Sequence, residues 1–229
     1  NIVRAAHAVN DKIFKTERNE KGNAVMKLES LARMNGIEVD GAHTALFDAN
    51  LTKLILQKIF KEQNVTWRSA MMTGSREEVE KFARDETMFS LNEYFYGKSK
   101  LYLVAPLHSE YLLHPIYKWV QSFDLRFDPE IYFNMPIAEL KVEMKKTPKF
   151  IRTIRSNKAP VLLHSDYASK LDPYVSLDKA KLLARAKLIK NNKEFCQKVS
   201  LILQEIAEEK SETFDQSDLT PEESIYHKF

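Results

Sequence analysis

Two residues in the first quarter of the chain have types and spacing suited to chemistry: His43 and Asp48, within AHTALFDANL at 42–51. A carboxylate can hold a divalent cation, and a histidine beside it can deprotonate the attacking water of a hydrolysis. On one continuous helix, positions five apart diverge by about 140°. The pair therefore converges only if His43 precedes the helix and Asp48 lies in its first turn. The upstream run GIEVDGA, with its two glycines, is consistent with such an entry. On spacing alone the plainer reading takes precedence: a histidine at a helix entrance, and an aspartate at the positive helix end.

The elements that must position this pair can be read from periodicity and punctuation. The chain has 229 residues, 44% hydrophobic and 29% charged, enough for one large domain or two smaller ones with a real core. Residues 1–9 close a helix, with Ile2, Val3 and Ala6 on one side, and 15–24 form a polar loop. Met26, Leu28, Leu31 and Met34 mark a short helix stopped by Asn35-Gly36. Leu46, Leu51, Leu54, Ile55, Ile59 and Phe60 recur at helical spacing and predict a long buried helix over 45–60. Another helix is expected at 65–72, and Ser75-Arg76-Glu77-Glu78 is a capping box opening a helix through Phe82.

From 87 to 133 the chain is rich in aromatic and β-branched residues, which predicts strands of a small sheet or barrel, EIYF at 130–133 included. A helix follows over 136–146, strands over 150–155 and 159–164, and two amphipathic helices over 178–190 and 193–209. Boundaries are expected near 75–86 and 173–177.

The residues around the pair carry more information than its spacing. KLESLARMNGIEVDGAHTALFDANLTKLILQKI, residues 27–59, resembles the third motif of the DEDD exonucleases of the histidine subtype. That motif has a Leu-rich helix, Asn-Gly-Ile, a loop, Ala-His, a small residue, and Asp-Ala on a helix. VAPL at 104–107 and NKAPVLL at 157–163 resemble segments of the SH3-like barrel domain of the exonuclease I family. LIKNNKEFCQKVSLIL at 188–203 resembles the start of that family's helical domain, and IVRAAHAV resembles the helix before the third motif.

The resemblance implies an α+β multidomain fold. Residues 1–74 would be the C-terminal portion of an RNase H-like α/β exonuclease domain, 75–175 the SH3-like β-rich domain, and 176–229 the start of an α-helical domain. It implies 3′–5′ degradation of single-stranded DNA to mononucleotides by two-metal-ion hydrolysis, in DNA repair and recombination. Asp48 matches the family's fourth metal-binding carboxylate and His43 its general base, with two Mg²⁺ ions or Mn²⁺ as cofactors. The family's Asp-x-Glu and middle Asp have no match in 1–41, where Asp11, Glu38 and Asp40 sit in polar connections. The chain is therefore expected to be a fragment of a longer enzyme, inactive by itself. Single-strand-binding protein is the partner the family implies; the chain is expected to be a cytoplasmic monomer.

Charge supports a polyanionic ligand. Residues 140–193 hold 14 Lys/Arg against 4 Asp/Glu, a balance of +10, whereas 194–229 hold 3 against 9, a balance of −6. Segregation of this kind is a footprint for nucleic acid. A single-strand groove needs phosphate-facing cations with aromatic rings for stacking. Lys145, Lys146, Lys149, Arg152, Arg155 and Lys158 are the candidate cations; Tyr94, Tyr96, Tyr102, Tyr111, Tyr117 and Trp119 are candidate rings, each with a competing role in the core. Arg152 and Arg155 should fall on opposite sides of a strand, so only one faces the groove. The basic residues of 178–190 read first as a solvated face.

A single cysteine, Cys196, excludes an intrachain disulfide framework and fits a reducing compartment. No apolar run approaches the roughly 18–20 residues of a membrane span. Two other readings stay open: a binding module without catalysis, and a relative acting on RNA.

Overall fold

The computed structural model describes residues 1–39, 44–95 and 97–212. Five helices come first: α1 (Ile2–Val9), α2 (Leu28–Met34), α3 (Ala45–Glu62), α4 (Asn64–Met72) and α5 (Arg76–Asp85). The Asn-Gly stop after α2 works as its residues require. Gly36 takes φ +74°, the Ile37 N–H donates to the Ala32 carbonyl, and the Gly36 N–H donates to that of Arg33. That reciprocal pair satisfies carbonyls left over at the helix end. The α5 capping box is complete, Ser75 and Glu78 each accepting the other's backbone N–H.

Leu51, Ile55 and Ile59 of α3 are buried, Ile55 and Ile59 in one cluster with Ala6, Ile13, Phe14 and Leu31. The expectation of a long buried helix needs correction, because Leu46, Leu54 and Phe60 are exposed. Among the described elements α3 packs on α1, α2 and α4, which cover one stripe of its surface and leave the opposite one open.

The centre is a five-stranded antiparallel sheet in the order β4-β3-β2-β1-β5, formed by β1 (Phe89–Phe95), β2 (Lys98–Pro106), β3 (Val120–Asp124), β4 (Ile151–Ile154) and β5 (Leu162–His164). The β1–β2 hairpin turns at Gly97, with φ +80° and Asn23 so near that a Cβ would come within 2.7 Å of its side chain. Only glycine meets both conditions. Alternation sorts the strands onto two faces. Phe89, Leu91, Val104, Val120 and Ile154 pack against Val79 and Ala83 of α5.

Leu103, Ala105, Phe123 and Leu163 face the other way, onto α9 (Lys179–Asn191) and α10 (Lys193–Glu212) through Leu182, Ile189, Phe195 and Ile202. Ala5 of α1 belongs to this second core and Ala6 to the α3 core, so one short helix joins the two.

The other α-helices among the described residues are α6 (Glu130–Phe133), α7 (Ile137–Lys145) and α8 (Asp166–Ser169). The strand expected at 130–133 is α6. Asp128-Pro129 starts it, with Asp128 Oδ1 accepting the Glu130 N–H, and this local signal overrides the β-propensity of Ile-Tyr-Phe.

A buried charge cluster ties these parts together. The Asp124 side chain is fully buried and accepts from Arg152 Nε at 2.9 Å, Arg126 Nε at 3.0 Å and the Tyr174 hydroxyl at 2.7 Å. Arg152 lies 3.3 Å above the Tyr102 ring and pairs with Glu93 through its other arm. Tyr174 sits in the connection to α9, and Arg185 of α9 donates to the carbonyls of Leu125 and Arg126 and to Asp128. Burial and the neighbouring Asp124 push the Tyr174 hydroxyl far above its ordinary value, so it remains a donor.

Removing one partner of such a cluster strands a charge. Asp124→Ala should cost roughly 3–5 kcal/mol, and Tyr174→Phe roughly 1.5–3 kcal/mol, as measured by urea unfolding. A loss below about 1 kcal/mol for Asp124→Ala would contradict this role for the cluster.

Candidate nucleic-acid interface

Asp48 stands in the first turn of α3, whose N-cap is Thr44; the Thr44 hydroxyl accepts from the Phe47 N–H at 3.4 Å. The Asp48 N–H donates to the Thr44 carbonyl, and its own carbonyl accepts from the Thr52 hydroxyl. Its carboxylate is therefore presented at the exposed, positive end of the helix. His43 lies outside the described residues. Among those residues no group of three or more His, Cys, Asp and Glu could hold a metal ion. Asp48 is a single carboxylate and does not make a metal site by itself.

The sheet edge carries a groove built from three adjoining clefts. One, of about 560 Å³, lies between β4, the 114–119 loop and α10, with Lys149, Arg155, Tyr117 and Trp119 among its walls. A second, of about 120 Å³, shares Glu93, Tyr94, Thr153 and Arg155 with the first and adds Arg4 and Lys158. A third, of about 620 Å³, shares Arg4 and Tyr94 and continues along α2 past Lys27 and Arg33. Shared walls make these clefts one path from α10 to α2, the helix that leads into the Asp48 segment. Rings and cations alternate along it. Arg4 lies 4.0 Å over the Tyr94 ring, and Arg155 lies 5.2 Å over Trp119, which stacks on Tyr117 at 4.7 Å and 23°.

The fold has close counterparts among solved structures. E. coli exonuclease I in complex with a 5cy-dT13 oligonucleotide superposes with a TM-score of 0.63 at 20% identity, over 88% of this chain and 45% of that one. The fold is that of exonuclease I. A moderately thermophilic exonuclease I from Methylocaldum szegediense matches 99% of this chain and 50% of its own, with a TM-score of 0.65 and 19% identity. An ExoI/SSB-Ct complex matches at 0.65 and 18% over 89% and 45%. This chain thus spans about half the length of the exonuclease I structures it matches. No family model matches the sequence, and no curated protein matches it.

Within this exonuclease I fold the six candidate cations separate by their partners. Lys149, Arg155 and Lys158 line the groove. Lys145 lies 3.9 Å from Glu209 and Lys146 pairs with Glu143, and neither lines a groove cleft. Arg152 is inside the fold, bound to Asp124 and Glu93, so its charge serves the sheet rather than the groove. Of the rings, Tyr96 lies outside the described residues, while Tyr94, Tyr117 and Trp119 reach the groove. Lys190 of α9 donates to the carbonyls of Arg84 and Glu86, a structural use of a basic residue. Sequence reasoning missed Arg4 and Glu93. Arg4 meets Tyr94 across 90 positions, and no local pattern signals that contact.

Glu93 is the acid on the sheet side of the groove; Glu17 and Glu29 line its α2 end, where both pair with Arg33. Burial holds the Glu93 carboxyl above the usual range, while Arg152 pulls it down. A nearby phosphate favours the protonated form, so binding takes up a proton and strengthens as pH falls from neutral through the raised Glu93 pKa. Glu93→Gln should tighten oligonucleotide binding roughly threefold at neutral pH and flatten that pH dependence. Fluorescence anisotropy between pH 5 and 8 measures both; an unchanged profile would remove Glu93 from the groove's electrostatics.

Proposed function

We propose that this chain is part of a 3′–5′ exonuclease of the exonuclease I type, acting on single-stranded DNA in repair and recombination. The single observation that carries this reading is the cation-and-ring groove, in a fold shared with exonuclease I. Lys149, Arg155 and Lys158 contact phosphates. Tyr94, Tyr117 and Trp119 offer stacking faces, which give a strand-tracking groove its tolerance of base sequence. His43 is the general base that takes a proton from the attacking water, and Asp48 is one of four carboxylates holding Mg²⁺. The described residues do not supply the complete set, so the geometry carries no step through the metal. The domain division at 75 and 176, a monomeric state and a cytoplasmic location belong to the same proposal. Single-strand-binding protein is the proposed partner, by analogy with the ExoI/SSB-Ct complex.

The reading is tested in a polypeptide that joins this chain to the remaining carboxylates of the pattern. Digestion of 3′-ended single-stranded DNA in Mg²⁺ should fall by about 10²–10⁴ on His43→Ala, the range for a general base. The 229 residues alone should bind the oligonucleotide without hydrolysing it. An unchanged rate for His43→Ala, or hydrolysis by the 229 residues alone, would contradict the assignment. Binding with no activity in any form would favour the non-catalytic module.

A further inference from the structure

Asn35 and Gly36 form the only Asn-Gly pair in the chain, and such a pair is chemically labile. Once the glycine N–H has lost its proton to a base, the nitrogen can attack Cγ of the asparagine. Glycine has no Cβ to hinder that approach. The Cγ–Nδ2 bond breaks, ammonia leaves and a five-membered imide forms. Water then opens the ring at either carbonyl, giving aspartate or its β-linked isomer. The sum is the exchange of ammonia for water, with no oxidant or reductant.

The fold holds the reacting groups in other bonds. The Lys15 N–H donates to Asn35 Oδ1 at 3.1 Å, and Asn35 Nδ2 donates to the Lys15 carbonyl at 2.9 Å and the Leu31 carbonyl at 2.8 Å. Both amide hydrogens are thereby used. The Gly36 N–H, whose nitrogen would be the nucleophile, donates to the Arg33 carbonyl at 3.2 Å. Ring closure requires the side chain to leave Lys15 and Leu31 and turn onto that nitrogen. The reciprocal bonds between Asn35 and Lys15 therefore act as a latch across 20 positions. Lys15 follows Ile13 and Phe14, each 3% exposed and packed in one core with Ile55 and Ile59 of α3.

We propose that Asn35 is a deamidation site that folding protects: the Lys15–Asn35 latch keeps the amide intact, and each opening of the latch exposes it to conversion through Gly36. The product does not relatch. An aspartate in this place keeps an acceptor for the Lys15 N–H but loses both donors. Its carboxylate then faces the carbonyls of Lys15 and Leu31 at the negative end of α2. The β-linked isomer also adds one carbon to the main chain where Gly36 turns it at φ +74°. Either product loosens the segment that seats Ile13 and Phe14 in the α3 core, and α3 bears Asp48. Conversion is one-way, so it marks chains that have opened, whatever the groove binds.

The test incubates the 229-residue chain in mildly alkaline buffer and reads peptides by mass spectrometry after digestion in acid, where ring closure is arrested. Conversion changes the mass at Asn35 from amide to acid; Asp40-Gly41 can form the same ring but without that change. The folded chain should convert at least about tenfold more slowly than the chain in urea at the same pH. The Lys15 amide exchanges hydrogen only when the latch opens, so its protection should match that retardation within about threefold. Asn35→Asp, which makes one product directly, should lower the Lys15 protection about tenfold, with far-UV circular dichroism checking the fold. The first two readouts use the unaltered chain and do not depend on that variant. Equal rates in the folded and urea-unfolded chain, or a retardation unrelated to Lys15 exchange, would overturn protection by the latch. Absence of conversion in urea would remove the site. Undiminished Lys15 protection in Asn35→Asp would overturn the loosening assigned to the product.

Discussion

A carboxylate with no solvent exposure is tenable only if its surroundings neutralise it, and Asp124 is neutralised by three side chains from three parts of the chain. Arg152 comes from β4, Arg126 from the turn after β3, and Tyr174 from the connection to α9. The strength of such a cluster lies less in net stabilisation than in the cost of any arrangement that leaves a member unpaired. It therefore fixes the pairing of β3 with β4, where Ser122 faces Arg152, and the approach of the C-terminal helices to the sheet. Arg152 also carries the constraint outward to Glu93 and Tyr102. The sheet-side wall of the groove is thus set by a charge cluster beneath it.

The groove depends on a second constraint, at α1. Consecutive alanines let this helix lie against the sheet through Ala5 and against α3 through Ala6, both fully buried. Arg4 on the same helix then reaches Tyr94, and the path along the sheet joins the path along α2. Asp48 stands in the first turn of α3, the helix that packs on α2. The groove and the candidate Asp48 corner are accordingly linked through the contacts of α1, α2 and α3.

Much of this was legible in the chain because the signals were local. The Asn35-Gly36 stop, the Ser75–Glu78 capping box and the helical spacing of Leu51, Ile55 and Ile59 each depend on neighbours within a turn or two. What failed was decided at long range. The exposure of Leu46 and Phe60 follows from what packs on α3, which periodicity does not encode. Lys145, Lys146 and Arg152 belong to one dense basic run with Lys149 and Arg155. Glu209, Glu143 and Asp124 draw the first three away, and two of those acids lie far along the chain. Arg152 is buried and Arg155 exposed, as alternation along a strand over 150–155 predicts, but β4 ends at Ile154 and Arg155 belongs to the turn that follows it. The motif around His43 and Asp48 was readable as a pattern; α3 begins at Ala45, which puts Asp48 in its first turn, while His43 lies outside the described residues.

The most direct test of the account is the salt dependence of dT oligonucleotide binding by this chain. Each phosphate neutralised on a single strand contributes about 0.7 to the slope of log affinity against log salt. Replacing Lys149, Arg155 and Lys158 with Gln should lower the slope by about 2, whereas replacing Lys145 and Lys146 should leave it unchanged. A slope that follows Lys145 and Lys146 instead would place the strand elsewhere and contradict the groove.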